Sequence, residues 1–264
     1  MQLTLRVFIA ACLVLSLQLT AQVADPVPAA STPASATGVI NQARLGLIRG
    51  VSITDLTLSG TASWTDGDNE QAGDVVIKVR GTTQSRIDLT GGTSRSEIRN
   101  DVSVPAGQWI DSNGSRHWMA PHNCWVPAGL LLPHALLDTA LGPNVVSTYL
   151  GKESRRGATV EHVRITHSFH DAASLNSLAI GLSRTEIYLD ATSYLPVAVT
   201  FTQQLDHDAE RSIPAEIEFS DYQTIDGMLI PFHIHRTIGS LNLDINVKSA
   251  AANKGLSDSD FALQ

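Results

Sequence analysis

The sequence predicts a mainly β (α+β) fold: a single large antiparallel sheet, curved into a partial barrel, with short helices covering its apolar face. Three observations carry that reading. Most of the chain alternates apolar and polar residues, which sends successive side chains to opposite faces of a strand. Turn signals such as Asp226-Gly227 separate the alternating runs. Two short apolar inserts, residues 130–141 and 175–182, break the alternation and are the natural cover for a sheet face that water must not reach.

Residues 1–24 read as a secretory signal peptide. Arg6 is their only charge, residues 7–19 are apolar, and small residues surround Ala21 and Ala24. The apolar run is shorter than the ~20 residues that span a bilayer. Ile9-Ala10-Ala11-Cys12 has the form of a lipidation box, but Leu13 to Leu19 continue the apolar segment past the cysteine, so cleavage after Ala24 is the reading taken. Loss of Arg6 from the 18 Lys plus Arg leaves 17 against 26 Asp plus Glu, and Cys124 becomes the lone cysteine. No internal disulfide is then available, and the core alone must hold the exported fold. Residues 25–37 (DPVPAASTPASAT) are a Pro/Ala/Ser tether, and residues 38–264 form the folded domain.

That domain opens with one amphipathic helix: Val39, Ile40, Ala43, Leu47 and Ile48 fall at helical spacing, and Gly50 stops it. Strands follow. Leu56, Leu58, Gly60, Ala62 and Trp64 share a face; Asp66-Gly67-Asp68 turns the chain; Val75, Ile77 and Val79, then Ile87 and Leu89, continue the pattern. Shorter strands are expected around Ile98, Trp109 and His117. In the apolar insert Pro133 suits the first turn of a helix and Gly142 its end. The C-terminal half alternates most regularly, through Ile187 and Leu189, then Leu195, Val197, Val199 and Phe201, then Ile217 and Phe219, then Ile230, Phe232 and Ile234, then Leu241 to Val247. Roughly ten strands are expected in all.

Composition excludes several functions. With 43% apolar and 17% charged residues the chain can bury a core, and a net charge of −8 without any basic cluster argues against nucleic acid as a partner. Nine histidines require that metal sites be weighed. His117, His122 and Cys124, with His134 beyond, carry ligand types that suit zinc but lack the paired spacing of structural sites. His233 and His235 share a strand face that Glu216 or Glu218 could approach; the plainer account is a solvated face with cross-strand pairs. No nucleophile elbow, S-x-x-K motif or phosphate loop stands in a convincing context. No catalytic residue, metal or cofactor is assigned.

A family resemblance rests on three segments. Thr185-Glu186-Ile187-Tyr188-Leu189-Asp190 with Tyr194-Leu195-Pro196-Val197 resembles the strand, "D-x-x-T/S-x-L-P" turn and strand of the LolA/LolB-like bacterial lipoprotein-carrier superfamily. Tyr222 with Asp226-Gly227-Met228-Leu229-Ile230-Pro231-Phe232 is similar to its "Y-x-x-x-D-G-x-x-I-P-F" hairpin, and Asn253 with Asp258-Ser259-Asp260-Phe261 to its final strand. The resemblance implies an unclosed half-barrel whose concave apolar face, capped by short helices, holds acyl chains in the periplasm without catalysis. Its partners would be lipoprotein acyl chains or another lipid, with an envelope protein as a further partner, and the protein would act as a monomer. An interaction or sensory module with a self-filled cavity is the rival reading. On the carrier reading the candidate wall is Leu56, Leu58, Val75, Ile77, Val79, Ile187, Leu189, Val197, Val199, Phe201, Phe219 and Phe232, and the candidate lid is Leu131, Leu136 and Leu137.

Overall fold

The computed structural model describes residues 35–66, 69–92, 94–168 and 173–264. The expected signal peptide, residues 25–34 of the tether, and Gly67 and Asp68 of the first turn lie outside them. The elements are, in order, α1 (Ala36–Ile48), β1 (Asp55–Asp66), β2 (Asn69–Arg80), β3 (Gln84–Thr90), β4 (Arg95–Asn100), β5 (Ala106–Ile110), β6 (Arg116–Trp118), a 3-10 helix at Pro121–Cys124, α2 (Pro133–Ala140), β7 (Val145–Arg155), β8 (Ala158–His167), α3 (Ala173–Ser183), β9 (Thr185–Asp190), β10 (Pro196–Leu205), β11 (Asp208–Ile225), β12 (Met228–Ile238), β13 (Leu241–Ala252) and a second 3-10 helix at Asp258–Phe261.

All thirteen strands belong to one antiparallel sheet in the order β6-β5-β4-β3-β2-β1-β13-β12-β11-β10-β9-β8-β7. The chain therefore makes two meanders, β1 to β6 and β7 to β13, joined where β1 pairs with β13. β6 and β7 follow one another in sequence yet form the two outer edges, so the sheet curls without closing. Their connection carries α2 into the concave side. Gly60 sits where β1 and β13 approach through an irregularity in register, and a Cβ there would collide with the backbone of Asn246 and Val247.

Local chemistry sets the helix ends. Ser35 caps α1, its hydroxyl accepting from the Gly38 N–H at 3.1 Å, and Arg49 (φ 48) with Gly50 (φ 83) ends it in left-handed conformation. The buried stripe Val39, Ile40, Ala43, Leu47 and Ile48 packs α1 against α2, β12 and β7, and an ion pair from Arg44 to Asp138 ties the two helices. Pro133 opens α2 at its first turn, as its spacing predicts. His134, Ala135, Leu136, Leu137 and Ala140 are all buried, so α2 is sunk in the core on nearly every side. Burial holds the His134 imidazole down at about 4, which keeps it neutral there.

The segments that resemble family motifs do structural work. Asp190 accepts hydrogen bonds from the Thr192 and Ser193 N–H groups at 3.1 and 2.7 Å, fixing the turn into β10. Asp226 (φ 49) and Gly227 (φ 83) form the left-handed pair that a two-residue hairpin needs. Asn253 accepts from the Thr54 N–H at 2.8 Å and donates to the Ser52 carbonyl at 2.8 Å, locking the chain's end to the start of β1.

Three expectations are corrected. Residues 258–261 form a 3-10 helix on the convex face rather than a final strand, with Phe261 buried and Lys78 paired to Asp260 at 2.7 Å. Val197 does not share a face with Val199: the register shifts between Pro196 and Ala198, and Val197 joins a separate convex cluster of Val160, Tyr188 and Ala198. β7, which the sequence expectation omits, is an edge strand: Val145 and Tyr149 pack only half-buried against the core, while Val146 and Leu150 are exposed, so its apolar residues fall on both faces.

Leu136 and Leu137 are each 0% exposed. Leu136→Ala should therefore lower unfolding free energy by about 2–5 kcal/mol, the range for a buried leucine, in urea denaturation. A loss under about 1 kcal/mol would mean that α2 lifts off the sheet readily.

Candidate functional site

The two helices fill one part of the concave side, and a cavity of about 410 Å³ is left in another. Such a volume lies at the small end of the ~300–1,000 Å³ typical of ligand pockets. Its sheet walls come from β1 to β5 and β10 to β13, and its cover is the connection at residues 126–131, through Val126, Ala128, Leu130 and Leu131. That cover is pinned at its start. Asn123 donates to the Gln204 carbonyl at 2.9 Å and accepts from the Gln204 N–H at 2.8 Å, while His122 donates to the Leu205 carbonyl at 3.0 Å. From the other edge Arg99 donates to the carbonyls of Cys124 at 2.7 Å and Val126 at 3.1 Å. The connection thus bridges the open side, from β4 across to β10.

One part of the wall is charged. Glu97 lies opposite Ile87 in the β3–β4 pair, and Arg236 lies between Ile217 and Leu243, so both side chains point into the concave side with the core. They meet at 3.1 Å across the half-barrel. Arg95 also reaches Glu97 at 3.1 Å, and its guanidinium lies 4.5 Å over the Trp109 ring. Trp109 in turn stacks on His117, with ring centroids 3.8 Å apart, and His117 contacts Asp111 at 3.3 Å. Burial alone would raise the Glu97 pKa; the charges and hydrogen bonds of Arg236 and Arg95 outweigh it and hold the carboxyl at about 2.

The candidate wall residues separate into two groups. Ile77, Val79 and Phe201, with Leu131 from the candidate lid, line the cavity. Leu56 and Leu58 on β1, Val75 on β2, Ile187 and Leu189 on β9, Val199 on β10, Phe219 on β11 and Phe232 on β12 belong to the same apolar core but lie away from the cavity. Leu136 and Leu137 are in that core as well. The other apolar insert forms α3 against β8; Leu178 and Ile180 are exposed, and Leu182 is buried. Sequence reading missed the charged wall. In Glu97-Ile98-Arg99 the apolar residue would mark the inward face, yet Ile98 is buried on the convex side, where the C-terminal 3-10 helix lies against β3 and β4.

The histidine clusters find local partners. His233 and His235 contact Asp244 at 2.9 and 3.3 Å, while Glu216 and Glu218 pair with Arg155 and Arg156. Cys124 is buried, and burial pushes its thiol pKa up. Among the described residues no three His, Cys, Asp or Glu side chains converge to hold a metal ion.

Solved structures share this architecture. A DUF1329 family protein from Desulfovibrio piger aligns with a TM-score of 0.54 at 11% identity, over 86% of this chain and 95% of its own. A putative outer membrane lipoprotein-sorting protein domain from Vibrio parahaemolyticus gives 0.53 at 13% identity, over 84% and 94%. A LolA superfamily protein from Nitrosomonas europaea gives 0.51 at 11% identity, over 87% and 98%. The chain has a LolA-like fold. No family model and no curated protein matches the sequence.

The ion-paired Glu97 has a pH signature. A carboxyl held at about 2 in the fold, against 4.5 ordinarily, stabilises the protein above pH 4.5 and loses that contribution as pH falls toward 2. The urea midpoint of the parent should fall further over that interval than that of Glu97→Gln. Parallel profiles would mean that the ion pair contributes nothing to the fold.

Proposed function

We propose that this chain is a non-catalytic carrier or binding protein of the bacterial envelope, exported by residues 1–24, that holds an acyl chain or comparable apolar ligand between its sheet and residues 126–131. The 410 Å³ cavity is the observation that carries this reading. Its cover is part of the chain's own crossing connection, so a ligand is shielded from water without any further domain. Each methylene transferred into such a space is worth ~0.8 kcal/mol, so a partly inserted chain is already held. The cargo is a lipoprotein acyl group or another lipid, exchanged with an envelope protein that supplies or receives it, and the chain works as a monomer. The LolA-like fold, shared with a lipoprotein-sorting domain, supports the same class of cargo.

Leu131 is the cover residue to test, because it lines the cavity and is only partly buried. Leu131→Trp should fill the space and weaken displacement of a fluorescent apolar probe by dodecanol at least about tenfold, with a thermal midpoint near the parent's. Unchanged binding in a folded Leu131→Trp variant would remove the cavity from the proposal.

A further inference from the structure

We infer that the cavity takes a single-chain amphiphile with an anionic head, held by Arg95 and Arg236, its tail laid along Ile87, Leu89, Ile217 and Leu243. This inference rests on the acyl-chain reading above and names its ligand class.

The sharing of one carboxylate by two arginines at the wall carries it. Two guanidinium groups, Arg95 and Arg236, share the single carboxylate of Glu97. The other cavity-lining arginines are matched: Arg86 by Asp88 at 2.8 Å and Arg99 by Asp101 at 2.9 Å. The cavity's other carboxylates keep their negative charges and have partners other than Arg95 and Arg236, Asp111 at His117 and Asp206 at the Asn123 amide. The Arg95–Glu97–Arg236 group thus sets two positive charges against one negative at the cavity wall, in a chain whose net charge is −8. A guanidinium that shares its carboxylate with another keeps N–H donors for a further anion.

Geometry matches that charge to an amphiphile. Arg95 is 42% exposed and held in place by the Trp109 face, so it is both reachable and oriented. Arg236 is 17% exposed and lies deeper. Leu89 is the cross-strand partner of Arg95, and Ile217 and Leu243 flank Arg236, so charge passes directly into apolar wall. An anionic oxygen pair at Arg95 would complete what Glu97 only half supplies, with the tail starting beside it. The cavity volume suits one chain rather than several. A carboxylate and a phosphate monoester offer the same oxygen fork to a guanidinium.

The test is displacement of the neutral probe N-phenyl-1-naphthylamine from the full folded protein by dodecanoate, dodecyl phosphate, dodecanol and dodecyltrimethylammonium. Both or either of the two anions should displace at concentrations at least about tenfold below the alcohol, and the cation should be the poorest; which anion leads separates a fatty acid from a phospholipid-derived head. Arg95→Gln should bring the anions to within about twofold of dodecanol in the same variant, and Glu97→Gln, which frees a second guanidinium, should widen their advantage. Equal potency of alcohol and anions in the parent, or an anion advantage that survives Arg95→Gln, overturns the head-group assignment and leaves the acyl cavity standing. Displacement by none of the four sinks the acyl-chain reading itself.

Discussion

Everything in this fold depends on β6 and β7 remaining apart. A meander of thirteen strands with its ends paired through β1 and β13 could close only along those two edges. The connection between them instead runs across the open side and turns its apolar residues inward. Two consequences follow from that single constraint. The concave sheet face is shielded by covalently attached chain, which removes the cost of leaving Val, Ile and Leu side chains in water. Because the covering segment narrows from a buried helix to a run of turns at residues 126–131, it fills α2's part of the concavity and leaves space elsewhere.

The two faces of the sheet are stabilised differently. On the concave side the apolar core is continuous from α1 through α2 to the strands, and the Arg236–Glu97–Arg95 group sets charge into the wall of the cavity. A bridge between β4 and β12 ties strands that are not sheet neighbours, so it resists opening of the curl. On the convex side the chain's end does the covering: Phe261 is buried, Arg80 lies 5.4 Å from its ring, and Lys78 holds Asp260. The Asp260 carboxyl is held at about 2, with the hydrogen bond from Lys78 the leading cause.

Much of the fold was legible because period-two alternation reports one buried face, and strands such as β12, with Ile230 and Ile234 buried, pack that face against α1. The reading failed where the sheet departs from one wet and one dry face. Ile98 and Val197 are apolar residues on the convex side, one near the C-terminal 3-10 helix and one displaced by an irregularity in register. β7 is an edge strand with little burial to imprint a pattern. The site was less legible than the fold: Ile77, Val79, Phe201 and Leu131 line the cavity, but nothing local separates them from core neighbours such as Leu58. Glu97 and Arg236 lie 139 positions apart and become partners only through the curl.

The most direct measurement is native mass spectrometry, with solvent extraction, of the exported protein purified from a periplasmic preparation. The carrier account predicts about one acyl-bearing molecule per chain, released on extraction and regained on incubation with lipid. A bare chain that stays bare after exposure to a lipid extract would contradict it, and would leave a half-barrel whose cavity serves no apolar cargo.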